Sequence, residues 1–317
     1  MNIWLGFLLV FGLSFTLSFL SAPIFIRRLR AKGFVVKDMY KSDQPDIPTV
    51  GGLIILSGVL ASLILGQLLF QGSAEKLLIF YFIVFSFAIF GLLDDLIDFG
   101  MKKVKLVLPF FLALPIALLN MDTTLWIGFT QVELGAVYLF VIAPVYVMVV
   151  SNLINMHSGY NGLAVGLVAM LLATVGIGGY LKNGPESLIF VLPILGGTLA
   201  FLLFNRYPSQ VFDGNIGSLM LGSALGGLIV LNNLEIFGII ILFPHIVNFL
   251  MYVGLKVTGM KEVKFGGVRE DGTLIIPHPV CLKWTLPYYY PMSEQKATAV
   301  MFLLTGLFCF LGIIFVA

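Results

Sequence analysis

Runs of about twenty consecutive apolar residues, broken by short polar links, constrain this chain more than any other feature. Residues 3–26, 50–70 and 77–93 are such runs, and the pattern recurs to the end of the chain. At about 1.5 Å rise per residue, one run matches the ~30 Å hydrocarbon core of a bilayer. The runs do not alternate polar with apolar, as a membrane barrel would require. Within lipid, helices then remain the way to satisfy every backbone group. Charged residues make up only 11% of the 317, where soluble domains carry about a quarter. The sequence therefore predicts an all-α polytopic membrane protein, one domain across residues 1–317. About ten spans fall near 3–26, 50–70, 77–93, 106–121, 134–151, 162–181, 187–204, 216–232, 236–256 and 297–316. The first run has no charged leader and is long enough to span, so it reads as a retained helix. Two cysteines, Cys281 and Cys309, give neither a disulfide framework nor a metal-ligand spacing.

The charges orient these spans. Sixteen of the eighteen lysines and arginines fall in alternate linkers, and only Lys76 and Lys182 fall in the others. The positive-inside rule puts the N-terminus outside and the cation-rich linkers in the cytoplasm. Those linkers are about 27–49, 94–105, 152–161, 205–215 and 257–295, and they hold every unusual polar cluster. The active face is therefore expected to be cytoplasmic.

One such cluster ends the third span: Gly91-Leu-Leu-Asp94-Asp95-Leu-Ile-Asp98, followed by Lys102, Lys103 and Lys105. Carboxylates at a membrane edge can hold a divalent cation or take a proton. On a continuing helix Asp95 and Asp98 share a face while Asp94 points about 100° away. The adjacent pair thus suits two jobs better than one bidentate job. Equally, the acids could mark the water boundary and pair with the lysines. The first linker carries Asp38, Lys41, Pro45, Pro48 and Gly51-Gly52. Its prolines enforce extended backbone. The linker after the fifth span holds Asn152, Asn155, His157, Ser158 and Asn161-Gly162. Amide carbonyls of that kind suit hard cations and nucleobase edges. His157 stands alone and reads as structural. Asp213-Gly214-Asn215-Ile-Gly-Ser218 leads into a helix, where free N–H groups and the dipole favour phosphate. A plain N-cap at Ser218 fits as well. The last linker is the longest, with Lys264, Arg269, His278 and Tyr288-Tyr289-Tyr290, and long loops tend to be functional.

Together these pieces suit a divalent metal, a diphosphate and a membrane-resident second substrate. The ordered motifs are Asp38…Lys41…Pro45…Pro48…Gly51-Gly52, Gly91-Leu-Leu-Asp94-Asp95, Asn152-x-x-Asn155…Gly159-x-Asn161-Gly162-Leu163 and Tyr207-Pro208-Ser209-x-Val211-Phe212-x-Gly214. In these the chain resembles the polyprenyl-phosphate N-acetylhexosamine-1-phosphate transferases, glycosyltransferase family 4. The Asn-Gly-Leu and Tyr-Pro-Ser-x-Val-Phe forms are similar to the archaeal and eukaryotic branch, which loads dolichyl phosphate. The resemblance implies transfer of a sugar-1-phosphate, N-acetylglucosamine-1-phosphate above all, from a UDP-sugar to a polyprenyl or dolichyl phosphate, releasing UMP. It implies Mg²⁺, with Mn²⁺ as an alternative, a multi-pass protein of the plasma membrane, and no nucleic-acid partner. A homodimer is left open.

By the same resemblance Asp94 and Asp95 lie near the lipid phosphate and metal, one of them a candidate base, and Lys105 holds phosphate. Asn155 and Asn215 correspond to metal positions, with Asp213 a further candidate. Asn161 and Phe212 correspond to uridine positions, Gly214 to the adjoining loop, and Asp38 and Lys41 to the first-linker motif. Lys264, Arg269 and His278 are the candidates for a C-terminal basic motif that has no clear match. The family carries Asp where this chain has Asn215, which implies weaker metal binding or a weakly active relative. The residues alone also admit a secondary transporter of an anionic solute, although no span carries a charge near its middle.

Overall fold

The computed structural model describes residues 2–97, 102–119, 121–126, 130–261 and 263–317, with backbone alone at Lys102, Lys103 and Leu106. Helix α1 (Ile3–Ala31) opens on Asn2, whose side chain accepts a bond from the Trp4 amide at 3.0 Å. Its last turn carries Arg28 and Arg30, where free carbonyls favour cations. The chain then makes an antiparallel hairpin, β1 (Val35–Lys37) with β2 (Asp46–Pro48), Val35 opposite Pro48. Two spans follow, α2 (Gly52–Leu69) and α3 (Ala74–Ile97). Next come α4 (Lys102–Ala113) and a second hairpin, β3 (Thr124–Trp126) with β4 (Gln131–Glu133). Helix α5 (Gly135–Val137) passes through a π-helical segment into α6 (Ala143–Met156). Spans α7 (Leu163–Asn183), α8 (Leu188–Asn205) and α9 (Gly214–Leu231) complete the interior. The remainder is α10 (Glu235–Ile241), α11 (Phe243–Val257), a short β5 (Gly267–Val268) and β6 (Leu274–Ile275) pair, α12 (Leu282–Tyr289) and α13 (Glu294–Val316).

Among the described residues eight helices are long and apolar enough to cross a membrane. The sequence suggested about ten, and the two differences have local causes. The expected fourth span is only a short apolar helix, Val107–Leu118, in which Pro109 and Pro115 interrupt the ladder and the last turns tighten to 3-10. The expected ninth is the pair α10 and α11, bent by 69°. Pro244 starts α11; it has no N–H to continue the ladder, and its ring disfavours helical backbone at Phe243. Counted as one span, the pair makes nine.

Helix α9 is the centre. Every residue from Ile216 to Val230 is buried, and α9 packs on both α3 and α6. Its small residues Gly217, Ser218, Gly222, Ser223, Gly226 and Gly227 let the neighbouring backbones approach, the usual basis of helix association in lipid. Around it, α1 packs on α2 and α8, and α7 lies between α8 and α13. The polar connections separate to the two ends of the bundle. The cation-rich linkers bond to one another at one end. At the other, Lys182 donates to the Asn233 carbonyl at 2.5 Å and Asn233 donates to that of Asp122 at 3.3 Å. This segregation is what alternating spans require.

Candidate active site

Asp94 and Asp95 occupy the last turn of α3, and successive positions on a helix face different ways. Asp95 turns to the start of α9. One oxygen accepts the Asn215 amide at 2.9 Å and the other the Ile216 amide at 3.1 Å. These are two of the donors that a helix start leaves without partners. Asp213 holds the N-cap position but makes no side-chain cap bond. A carboxylate from another helix therefore caps α9, with its negative charge at the positive end of the dipole. Asp94 turns the other way. It is buried, pairs with the Lys105 ammonium at 2.7 Å and accepts the Asn215 side-chain amide at 2.9 Å. The two acids hold different groups and share only Asn215, Asp95 through its backbone and Asp94 through its side chain. Asp98 lies outside the described residues.

Two glycines make this junction possible. Gly214 has φ near 70°, in the left-handed region, and a Cβ there would meet Asp95 Oδ2 at 2.6 Å. Gly91 lies one turn before Asp95 against the Asn215 carbonyl, with no room for a side chain.

Asn215 is a hub. Its oxygen accepts the Asn155 amide at 2.9 Å, and the same amide nitrogen reaches Ser218 Oγ at 2.9 Å. The side chains thus run Asn155, Asn215, Asp94, Lys105. Beside them the half-buried Asp213 carboxyl takes a bond from its own amide alone, among the described residues. Desolvation, then the neighbouring Asp95 charge, push its pKa up to about 7. A cation would relieve that cost. No cluster of three or more His, Cys, Asp and Glu suited to a metal occurs among the described residues, so a metal here would take amide, water or phosphate oxygens beside acid.

These groups open into a cavity of about 380 Å³. Asp95, Asn155, Asp213, Asn215 and Lys264 are among its polar lining, and Tyr160, Phe212 and Phe265 among its aromatic lining. Phe212 is fixed by its backbone, whose N–H donates to the Pro48 carbonyl and whose carbonyl accepts the Gly51 amide, both at 2.8 Å. Lys264 stands in the wall with its ammonium 5.4 Å from the Phe265 ring. A cavity of similar size, about 370 Å³, lies at the opposite end among Lys76, Asp122, Lys182 and Glu186. It includes none of the clustered motifs.

Other expected contacts lie differently. Lys41 does not face the cavity; its ammonium is held by Glu294 at 2.5 Å and Asp38 at 3.3 Å, over the Tyr207 ring. Asn161 is also committed. Its side-chain amide donates to Asp38 at 3.0 Å, and its side-chain oxygen accepts the Ser209 amide at 2.8 Å. Asp38 is buried with one edge at the cavity. All three were expected to bind substrate; here they knit linkers together, and Asp38 also lines the cavity. Arg269 donates to Thr273 Oγ1 at 3.1 Å and to the Leu274 carbonyl at 2.9 Å, and so folds its own β5–β6 turn. His278 accepts the Val280 amide at 3.3 Å with its ring 5.1 Å from Trp284. Neither Arg269 nor His278 lines the cavity. His157 is buried against His245, ring centroids 4.6 Å apart, and burial holds its pKa well below the usual value. Two residues escaped sequence reasoning: Glu294, which passes for an ordinary first-turn acid, and Lys283, one cation among many in its linker.

The family model described as glycosyl transferase family 4 matches residues 77–233. The phospho-N-acetylmuramoyl-pentapeptide-transferase of Halalkalibacterium halodurans is 32% identical over 254 residues, covering 74% of this chain and 77% of that one. This chain belongs to glycosyl transferase family 4. A Saccharolobus solfataricus protein, provisionally named UDP-N-acetylglucosamine–dolichyl-phosphate N-acetylglucosaminephosphotransferase, is 29% identical over 279 residues, 85% of this chain and 84% of its own. The phospho-N-acetylmuramoyl-pentapeptide-transferase of Oceanobacillus iheyensis is 28% identical over 332 residues, 97% of each chain. The segment matched by glycosyl transferase family 4 contains Asp94, Asp95, Lys105, Asn155 and Asn215. It stops short of Lys41, Lys264, Arg269 and Glu294 at either side.

Proposed function

We propose that this chain transfers N-acetylglucosamine-1-phosphate from a UDP-sugar to dolichyl or another polyprenyl phosphate at the cytoplasmic face of the plasma membrane. The observation that carries the reading is the Asp95-capped start of α9, which opens with Asp213, Asn155 and Asn215 into one cavity of family 4 residues. The names of the relatives support sugar-phosphate transfer to a polyprenyl phosphate. The archaeal relative's name and the Asn-Gly-Leu turn support N-acetylglucosamine and dolichol. An oxygen of the lipid phosphate bonds to the sugar-bearing phosphorus, and the bond from that phosphorus to the bridging oxygen breaks, the oxygen leaving with UMP. A phosphate monoester with second pKa about 6 is already largely dianionic near neutral pH. Position and charge neutralisation therefore matter more than a general base. Lys264 offers a cation in the wall, and Lys105 is held by Asp94, which bonds to the wall residue Asn215. Asp95 keeps the α9 start rigid against that chemistry.

The donor set fits a hard divalent cation: an uncommitted carboxyl at Asp213 and carbonyl oxygens at Asn155 and Asn215. Mg²⁺ or Mn²⁺ bound there would neutralise the diphosphate. Purified protein with dolichyl phosphate and UDP-N-acetylglucosamine should release UMP in Mg²⁺ and stop in EDTA. UMP release that does not need the lipid, or solute flux in proteoliposomes without chemistry, would overturn the reading.

Asn215→Asp tests the donor set separately. The Asn215 amide now donates to Asp94 at 2.9 Å. A carboxylate in its place turns that bond into repulsion, at a cost of about 1–3 kcal/mol when no cation intervenes. The melting temperature of the variant should fall in EDTA and recover in Mg²⁺, with a smaller response in wild type. A variant that gains nothing from Mg²⁺ would place the metal elsewhere.

A further inference from the structure

The turn Ser158–Asn161 forms part of the cavity wall through Ser158, Gly159 and Tyr160. It is gripped at both ends by the C-terminal segment. At one end Lys283, buried on α12, donates from its ammonium to the Ser158 carbonyl, with the Tyr160 ring 5.2 Å away. Gly159 between them has φ near 115°, and a Cβ there would run into the same ammonium. At the other end Glu294, buried at the first turn of α13, accepts the Asn161 amide at 2.6 Å on one oxygen. Its second oxygen takes Lys41 at 2.5 Å. Asn161 passes the hold on to Asp38 and to the Ser209 amide. One carboxylate thus fixes the first linker, the Asn turn and, through Asn161, the linker after α8. Neither Glu294 nor Lys283 lines the cavity.

Charge-assisted bonds of this kind are the stronger ones in proteins. They are buried, so each loss leaves a partner unsatisfied in a dry site. The turn they hold is backbone with small and aromatic side chains, and it faces an opening among the linkers. A water-soluble nucleotide reaches that opening, whereas a prenyl chain must come from the bilayer.

We infer that Glu294 and Lys283 are positioning residues that together form a clasp, fixing the Ser158–Asn161 wall and thereby setting affinity for a uridine nucleotide. The inference rests on the reading that the cavity takes a UDP-sugar. The clasp itself is measurable without turnover.

The test uses full-length protein in detergent. Hydrogen exchange of the peptide covering residues 157–162 should be faster in Glu294→Gln and in Lys283→Met than in wild type, at temperatures where all three are folded. Titration calorimetry with UDP and Mg²⁺ should show Kd raised about tenfold in each, the scale of one lost charge-assisted bond. Lys283→Arg keeps a donor and should recover most of the affinity, which a role in stability alone would not predict. Unchanged exchange at 157–162 in both variants overturns the clasp. Faster exchange with unchanged UDP affinity overturns its control of the nucleotide. Wild-type protein that binds no UDP contradicts the reading of the cavity, and exchange then decides the clasp alone.

Discussion

Asp95→Ala is expected to cut UMP release by about 10² or more and to lower thermal stability in the same variant. The two effects have one origin. Asp95 accepts the Asn215 and Ile216 amides, and Asn215 in turn holds Asn155 and Asp94. Without the carboxylate two donors at the start of a buried helix lose their partner, and such a loss costs about 1–3 kcal/mol. The α9 start then shifts, and with it every group that faces the cavity. Asp95→Asn keeps one acceptor oxygen and should retain more stability than Ala. It still loses the charge, so its turnover should fall by a similar ~10². Asp94→Asn breaks the pair with Lys105 instead. Turnover should drop on the same ~10² scale, with less change in stability, because Lys105 is partly exposed and Asn keeps an oxygen for the Asn215 amide. UMP assays beside thermal melts of the three variants check this. Normal turnover in both Asn variants, with intact folding, would return the pair to marking the membrane boundary.

Gly91→Ala is expected to be nearly as damaging, although the residue carries no functional group. A Cβ at Gly91 would overlap the Asn215 carbonyl and lie 2.7 Å from the Ile216 Cα. Both obstacles are backbone, so nothing can rotate away. The helices α3 and α9 must separate, and overpacking of that sort costs about 1–3 kcal/mol. The separation falls one turn from Asp95, on the two bonds that cap α9. A shift of about 1 Å in such a site can lower turnover by about 10². Lower melting temperature together with slow turnover would bear this out. Wild-type turnover in Gly91→Ala would show that the α3–α9 spacing does not govern the site.

The sequence made some of this visible because the relevant physics is local. Long apolar runs name their own secondary structure, and cations concentrated in alternate linkers gather the polar motifs at one end. That Asp94 and Asp95 would do separate work follows from helical geometry, and the bonds to Lys105 and to the α9 amides divide in that way. Other features needed distances between remote segments. Lys41 and Asn161 look like substrate contacts in a motif, yet each is bonded to Glu294, 253 and 133 residues along the chain. A single acid in the first turn of a helix carries no sign of such partners. The bend at Pro244 and the short α4 were hidden for another reason. Hydropathy measures how apolar a segment is, not whether its backbone ladder is continuous.

The cap on α9 also has a consequence for how the protein is made. Asp95 and its partner Asn215 are 120 residues apart. At about 5–20 residues per second of synthesis, α3 enters the membrane roughly 6–24 s before the helix it caps exists. Through that interval the two acids need water, which anchors the end of α3 at the bilayer surface. When α9 arrives it brings free amides with no side-chain cap of its own. The pairing of Asp95 with these amides thus acts as a latch on assembly, closing only when the two helices enter side by side in the correct direction.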